Sequence, residues 1–182
     1  MKVTFYRLEE KYKKEVMEIY NYYIENTYAA YPGNKLPYKF FNNLMEEIND
    51  YPAYVVKKDD KVVGFCFLNS YKHYKTFRET AEINCFLSYE VKGLGIGDYC
   101  LKKLEQEARN FGIKNILALI PTKNKFGVRY YHTNGFRTCG TITDIGEKFG
   151  ESFGLVIMKK VLIEENEGNW LIKFFRLSTL NE

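Results

Sequence analysis

The stretch from residue 82 to residue 111 constrains the fold of this chain more than any other. It opens with a period-2 pattern over 83–88, which is typical of a strand. A loop with three glycines follows over 93–97, and apolar residues then recur at helical spacing over 96–111. A strand, a glycine loop and a helix in this order form a cradle for phosphate. Glycine lets the backbone approach an anion, and the free N–H groups of the first helical turn point at it.

The glycine spacing fits neither of two common nucleotide-binding motifs. A dinucleotide fingerprint needs G-x-G-x-x-G, whereas the glycines here are Gly93, Gly95 and Gly97. A Walker loop needs a lysine where this chain has Asp98. The residues alone therefore leave two interpretations open: a site for another phosphate-bearing ligand, or a flexible turn that binds nothing.

The composition indicates a single domain with an ordinary surface. A chain of 182 residues can bury a full core, and its net charge of +4 is spread over interspersed acids and bases, so we expect no nucleic-acid partner. Two histidines and four widely spaced cysteines form no metal-binding pattern, so we expect reduced core thiols and no metal. Since the sequence shows no apolar signal core or membrane-spanning run, we expect a cytoplasmic protein without a membrane partner.

Hydrophobic periodicity predicts the order of the secondary structure. We expect helices over 9–26, 38–48, 96–111 and 126–133, and strands over 3–8, 53–56, 62–68, 83–88, 116–120, 136–145 and 153–160. Strands before and after helices, with a hairpin between them, predict an α/β fold of the mixed α+β type. Its centre is one mixed sheet with helices on both faces.

Two motifs in the second half of the chain resemble those of one enzyme family. Residues 92–97, Lys-Gly-Leu-Gly-Ile-Gly, resemble the acetyl-CoA loop Q/R-x-x-G-x-G/A of the GNAT family of N-acetyltransferases, with Lys92 in place of the usual Arg or Gln. Asn124, Tyr131 and the pair Gly135-Phe136 match the family's N-x6-Y-x3-G-F segment. The resemblance implies a GNAT-type fold with a mostly antiparallel sheet, and acetyl-CoA as co-substrate.

The resemblance also implies a domain organisation and a substrate class. It covers residues 1–160 as an acetyltransferase domain and leaves 161–182 as a C-terminal extension that docks on the domain or on a partner subunit. Four short segments, in their common order, resemble the phosphinothricin (methionine sulfoximine) acetyltransferase branch; they are 20–27, 51–52, 80–82, and 140–141 with 146–150. The branch implies a small-molecule amine acceptor of the amino-acid type and a homodimer. Tyr74 departs from the branch, which usually carries Arg there.

Acetyl transfer to an amine needs a base and an acid, because an ammonium is no nucleophile and the departing thiolate must be neutralised. The resemblance places the base at Glu82 and the acid at Tyr131. Partial burial among apolar strand residues would raise the pKa of the Glu82 carboxyl. Two plainer interpretations stay open: Glu82 as a strand-end carboxylate paired with Arg78 or a lysine, and Tyr131 as a core residue among sixteen tyrosines.

The coenzyme contacts are also implied by the resemblance. Main-chain groups of residues 85–87 would pair with the pantetheine amides like an added strand, and residues 93–98 would hold the pyrophosphate. Lys92 meets a phosphate or stays solvated, Asp98 turns its side chain away, and Asn124 donates to the coenzyme or caps the next helix. The predicted coenzyme-binding residues are Cys85, Phe86, Leu87, Lys92, Gly93, Leu94, Gly95, Ile96, Gly97, Asp98 and Asn124.

The acceptor site is predicted as an aromatic wall beside the loop 146–150. The residues predicted to form this wall are Tyr31, Tyr74 and Phe77. Arg78, Arg129 or Lys148 could hold a substrate carboxylate or phosphinate. Two other functions stay open: acetylation of a protein or peptide N-terminus, and non-catalytic sensing of acyl-CoA.

Overall fold

The computed structural model describes residues 1–162, so the predicted extension 161–182 lies outside the described residues except for its first two positions, and its docking is not described. Eleven elements follow one another in this part of the chain. They are β1 (Val3–Arg7), α1 (Lys13–Asn26), α2 (Phe41–Ile48), β2 (Ala53–Lys58), β3 (Lys61–Ser70), β4 (Thr80–Leu87), α3 (Ile96–Asn110), β5 (Asn115–Pro121), α4 (Lys125–Thr133), β6 (Arg137–Lys148) and β7 (Glu151–Val161). Short 3-10 turns precede α1 and α2, so both predicted helices are present but begin as tighter turns.

The strands form one seven-stranded sheet in the order β1-β2-β3-β4-β5-β7-β6. All neighbours are antiparallel except β4 and β5. The prediction of a mixed, mostly antiparallel sheet is therefore confirmed. The hairpin between β2 and β3 turns at Asp59 and Asp60, whose positive φ angles of 48° and 67° suit a tight two-residue turn.

Two apolar layers cover the sheet, one on each face. Residues from α3 and α4 pack on one face around Leu104 and Phe136, and residues from α1 and α2 pack on the other around Phe41 and Phe65. These four side chains are fully buried or nearly so. Burying each such side chain stabilises the fold by about 1.5–3 kcal/mol. The predicted helices on both faces are thus confirmed.

The middle of the sheet contains a gap, because β4 and β5 pair only briefly. Their parallel register ends at Glu82 opposite Leu117, although β4 continues to Leu87 and β5 to Pro121. On their outer edges, β4 pairs with β3 from Ala81 to Leu87, and β5 pairs with β7 over its whole length. The sheet therefore splays open between β4 and β5 without losing its other ladders.

The predicted loop 146–150 is mostly strand. Gly146 and Lys148 lie in β6, and only Phe149 and Gly150 turn the chain, with φ angles of 55° and 74°. Gly146 suits this position because an added Cβ would lie 2.5 Å from the ring of Phe153. This segment is therefore the end of a hairpin, and the prediction of a free loop is wrong.

Candidate active site

The gap between β4 and β5 forms a cleft of about 420 Å³. Four residues predicted as functional border it: Cys85, Phe86, Asn124 and Tyr131. The other bordering residues, which sequence analysis missed, are Ala29, Ile83, Asn84, Ala118, Leu119, Ile120 and Pro121. The β5 residues were missed because a continuous apolar strand gives no sign of which part loses its neighbour.

The backbone of β4 presents alternate residues to the cleft. The Ser88 N–H donates to the Val63 carbonyl of β3 at 2.7 Å. In an antiparallel pair every second residue makes such bonds, and this pair has no bulge, so Phe86 also directs its backbone groups to β3. Cys85 and Leu87 direct theirs to the cleft. The predicted backbone pairing of Phe86 with a coenzyme is therefore corrected, although Phe86 still borders the cleft.

Two tyrosine hydroxyls form hydrogen bonds with backbone groups on the rims of the cleft. Tyr23 Oη donates to the Leu87 carbonyl at 2.7 Å and accepts from the Leu87 N–H at 3.2 Å. Tyr31 Oη donates to the Leu119 carbonyl on the β5 side at 3.1 Å. Tyr23 was not predicted from the sequence, because a contact between residues 64 positions apart leaves no local pattern.

The glycine loop adjoins the open end of the cleft. Gly93 and Gly95 have φ angles of 79° and 75°, and a Cβ at either would meet nothing within 4 Å. These glycines therefore serve the left-handed backbone that leads into α3. Among the described residues, four amide groups at this helix start donate to no backbone or side-chain acceptor; they belong to Gly93, Gly95, Ile96 and Gly97. Such a set of free N–H groups at the positive end of a helix can hold an anion.

Other loop residues have different roles. The N–H groups of Leu94 and Asp98 donate within the loop, to the carbonyls of Val91 at 3.3 Å and Gly95 at 3.1 Å. Lys92 Nζ lies 5.9 Å from the centre of the Phe126 ring, which places its charge beside the start of α4. A cation at this position favours an anionic ligand on the loop.

Glu82 is the last residue of β4 that pairs with β5, so it stands at the closed end of the cleft. Partial burial raises the pKa of its carboxyl, and the nearby charge of Glu47 raises it further against an opposing effect of Lys72. The pKa of Tyr31 is raised to about 12, mainly because Tyr31 is buried and secondly because the Glu82 carboxylate is near. In the described part of the chain Glu82 forms no salt bridge, so the alternative interpretation of a carboxylate paired with Arg78 or a lysine is not observed.

Tyr131 reaches the cleft from the opposite face of the sheet. It packs with the layer that contains Ile83 and Cys85, whereas Glu82 alternates with them along β4. Its ring is held edge-on by Phe136 at 4.9 Å. Burial raises the pKa of Tyr131. Its hydroxyl therefore stays protonated at physiological pH and can donate, and it has no hydrogen-bond partner among residues 1–162.

Tyr130, the neighbour of Tyr131, is in a different environment. Its hydroxyl is buried and has no partner within the described chain. A Cβ added to Gly97 would lie 3.2 Å from this oxygen. Gly97 therefore allows α3 and α4 to pack closely, a role that the loop motif alone did not distinguish from anion binding.

Asn124 fills one of its two predicted roles, the helix cap, and leaves a group free for the other. Its Oδ1 accepts from the Gly127 N–H at 2.9 Å and so caps α4. The residue also borders the cleft. Because the cap uses the oxygen, the amide NH₂ group is left to donate to a ligand.

The predicted acceptor wall is divided between two places. Tyr31 stands at the rim of the cleft, while Tyr74 is 71% exposed and lines a second depression together with Glu47. Phe77 packs edge-on against Tyr71 at 5.6 Å. The second depression measures about 590 Å³ and is lined by Glu47, Asn49, Tyr51, Ser70, Lys72, His73, Tyr74, Lys75 and Arg78.

Lys148 is a structural residue and not a free cation. Its Nζ donates to the carbonyls of Thr27 at 2.8 Å and Ala30 at 2.6 Å. Desolvation by burial lowers the pKa of this ammonium. The contacts tie the end of the β6–β7 hairpin to the loop that carries Tyr31, so the interpretation of Lys148 as a substrate ligand does not fit.

The described residues contain neither a metal site nor a membrane-spanning helix. Within 1–162, no group of histidine, cysteine or acidic side chains is placed to hold a metal ion. No helix in this range is long and apolar enough to cross a membrane.

Known proteins share this architecture. The model of the acetyltransferase (GNAT) family matches residues 14–136. The L-methionine sulfoximine/L-methionine sulfone acetyltransferase of Salmonella typhimurium is 27% identical over 155 residues, which are 82% of this chain and 88% of that protein.

Two solved structures at comparable identity have the same fold. The yncA protein of Salmonella typhimurium, solved with its cofactor acetyl-CoA, has a TM-score of 0.81 and 25% identity, with 90% of this chain and 95% of that chain covered. The ribosomal-protein-alanine N-acetyltransferase of Brucella melitensis has a TM-score of 0.82 and 27% identity, with 87% and 99% covered. The described chain therefore shares its fold with acetyl-group transferases.

Proposed function

Because the chain belongs to the acetyltransferase (GNAT) family and uses acetyl-CoA as its co-substrate, we propose that it acetylates the primary amine of a small amino acid or amino-acid analogue. The observation that carries the proposal is the splayed pair β4–β5, whose unpaired backbone leads directly into the free amides of the glycine loop. The relative that acts on methionine sulfoximine and methionine sulfone supports the choice of acceptor.

The proposed mechanism is a direct transfer in which Glu82 and Tyr131 move the protons. Bound acetyl-CoA supplies the acetyl thioester. The Glu82 carboxylate takes a proton from the incoming ammonium, so that the amine lone pair can form the new C–N bond. As the C–S bond breaks, the Tyr131 hydroxyl donates its proton to the sulfur, and the released thiol is neutral. The nitrogen loses its second proton as it becomes an amide, and that proton restores the Tyr131 hydroxyl directly or through water.

The opposite placement of the two groups supports this division of roles. Glu82 faces the α1 and α2 side, where the polar side chains of Asn69 and Glu47 also lie. Tyr131 faces the α3 and α4 side with the apolar neighbours of Cys85. An amine can therefore approach from one face while the sulfur lies on the other, with the acetyl carbonyl between them.

A thiol-release assay with a panel of amines tests the proposal. The panel should contain methionine sulfoximine, methionine sulfone, phosphinothricin and the common L-amino acids, each with its N-acetylated form as a blocked control. We expect turnover with at least one primary amine and none with its blocked form. Absence of turnover across the panel, together with measurable acetyl-CoA binding, would reject the proposed acceptor class.

A second candidate is acetylation of a protein or peptide N-terminus. The solved ribosomal-protein-alanine N-acetyltransferase, similar over 87% of this chain, favours it. Peptides that begin with alanine, added to the same assay, separate the two candidates. A non-catalytic acyl-CoA sensor would bind acetyl-CoA but release no thiol with any acceptor.

A homodimer in the cytoplasm remains part of the proposal. The edge strand β6 offers apolar side chains for such contact, since Ile142 and Ile145 are 45% and 52% exposed. Light scattering of the purified protein measures its mass, and Ile145→Lys should convert a dimer through this edge into monomers. Cell fractionation tests the compartment.

A further inference from the structure

The Tyr23 hydroxyl hydrogen-bonds to Leu87, the last residue of β4 whose backbone groups face the cleft. This hydroxyl contacts both backbone groups of Leu87, at 2.7 and 3.2 Å. A hydroxyl that both donates to and accepts from one residue takes the place that a neighbouring strand would occupy. Cys85, the preceding residue that faces the cleft, has no such backbone partner within residues 1–162. One of two open positions is therefore capped by the protein itself.

Two open positions match the ligand of the proposed function, on which this inference rests. The pantetheine arm of acetyl-CoA contains two amide groups in series. Backbone groups on one edge of a strand recur at every second residue, about 6.8 Å apart. An arm laid along β4 from the glycine loop toward Glu82 would pass Leu87 and then Cys85. A trans amide directs its C=O and its N–H to opposite sides, so each amide offers only one group to this edge; one would accept from the Leu87 N–H and the other would donate to the Leu87 carbonyl. The Tyr23 hydroxyl stands where these two groups would bind.

We propose that Tyr23 is a positioning residue that the coenzyme displaces. In the free enzyme its hydroxyl keeps Leu87 paired, and on binding the pantetheine arm takes over both groups of Leu87. The backbone groups of Leu87 are hydrogen-bonded both before and after this exchange, so the exchange costs little free energy.

The setting of Tyr23 permits this movement. Tyr23 lies in the last turn of α1, and its ring meets Phe86 edge-on at 5.2 Å and Tyr22 at 6.1 Å. The side chain can leave Leu87 by rotation. The strand β4 stays in place when it does so, because β3 holds its other edge. Release of Tyr23 would also alter the chain just before Thr27, where the loop that carries Tyr31 begins.

Tyr23→Phe tests the proposal, with Tyr22→Phe as the matched control, because the Tyr22 hydroxyl makes no hydrogen bond in the described structure. Calorimetry gives the Kd of acetyl-CoA, and NMR of ¹⁵N-leucine-labelled protein follows hydrogen exchange at the Leu87 amide. Without ligand, we expect exchange in Tyr23→Phe about tenfold faster than in the wild type. With acetyl-CoA, exchange should be equally slow in both, and the Kd should fall about three- to tenfold because no hydroxyl competes.

The outcomes separate this inference from the proposed function. Weaker acetyl-CoA binding by Tyr23→Phe, an unchanged Kd, or a Leu87 amide that still exchanges fast in its complex would overturn the displacement of Tyr23. The proposed function survives each of these results. If the wild-type protein fails to bind acetyl-CoA, the proposed function fails, and the role of Tyr23 falls with it.

Discussion

Tyr130 and Tyr131 offer a matched test of acid catalysis, because adjacent residues of α4 place the same hydroxyl group in two environments. The Tyr131 residue borders the cleft, and the Tyr130 hydroxyl is buried against Gly97 without a partner in the described chain. Tyr131→Phe removes the proposed proton donor to sulfur. General acid catalysis contributes about 10²- to 10⁴-fold, so we expect kcat to fall by about 10² or more. The Kd of acetyl-CoA should change by less than about threefold.

Tyr130→Phe should change stability and leave turnover intact. A buried hydroxyl without a partner costs about 1–3 kcal/mol, and its removal recovers part of that cost. The oxygen lies close to Gly97, so its loss leaves only a small void, which offsets some of the gain. We expect the free energy of unfolding to rise by about 1 kcal/mol, or Tm by about 2–4 °C.

Two measurements decide the outcome. A thiol-release assay under single-turnover conditions isolates the chemical step, and urea unfolding gives the free energy of each variant. If Tyr131→Phe turns over at the wild-type rate, the hydroxyl is not the acid. If both variants lose activity equally, packing of α4 and not proton donation explains the loss.

The base, the glycine loop and the buried lysine each give a measurable outcome. Glu82→Gln should lower kcat by about 10²-fold or more and remove the acidic limb of the pH–rate profile. Because the folded pKa of Glu82 is raised above 4.5, its stabilising contribution is lost as pH rises through that pKa, so the variant should unfold at higher urea than the wild type at pH 7 but not at pH 3. Gly95→Ala, at a φ of 75°, should cost about 1–2 kcal/mol and weaken acetyl-CoA binding in calorimetry, whereas Gly33→Ala should do neither. Lys148→Met should cost about 1.5–3 kcal/mol in urea unfolding, against less than about 0.5 kcal/mol for the exposed Lys159→Met.

Local patterns were enough to predict most of the fold. The strand, glycine loop and helix around α3 depend on neighbouring residues, and so does the Asn134-Gly135 stop of α4, where Gly135 has a φ of 85°. The family, the enzyme class and acetyl-CoA as co-substrate are confirmed by the family match and the acetyl-CoA-bound neighbour.

The remaining features could not be predicted from the sequence, because they depend on contacts between residues far apart in the chain. Lys148 is buried because two carbonyls from a loop about 120 residues earlier converge on it, and no local signal marks such an encounter. The alternation that turns Phe86 toward β3 depends on register, which the sequence of β4 alone does not specify. The division of Tyr31 and Tyr74 between two depressions likewise depends on how loops meet in three dimensions.

Pro121 has a consequence for the solubility of the empty protein. Two strand edges that face each other across a gap are a template for a stray extended peptide, and such edges promote aggregation. Pro121 ends the β5 edge without an N–H group, so an invading strand loses a hydrogen bond at the mouth of the gap. Pro121 thus disfavours binding of a polypeptide in the gap between β4 and β5, which should admit only the narrow pantetheine arm. We expect Pro121→Ala to make the ligand-free protein more prone to form oligomers.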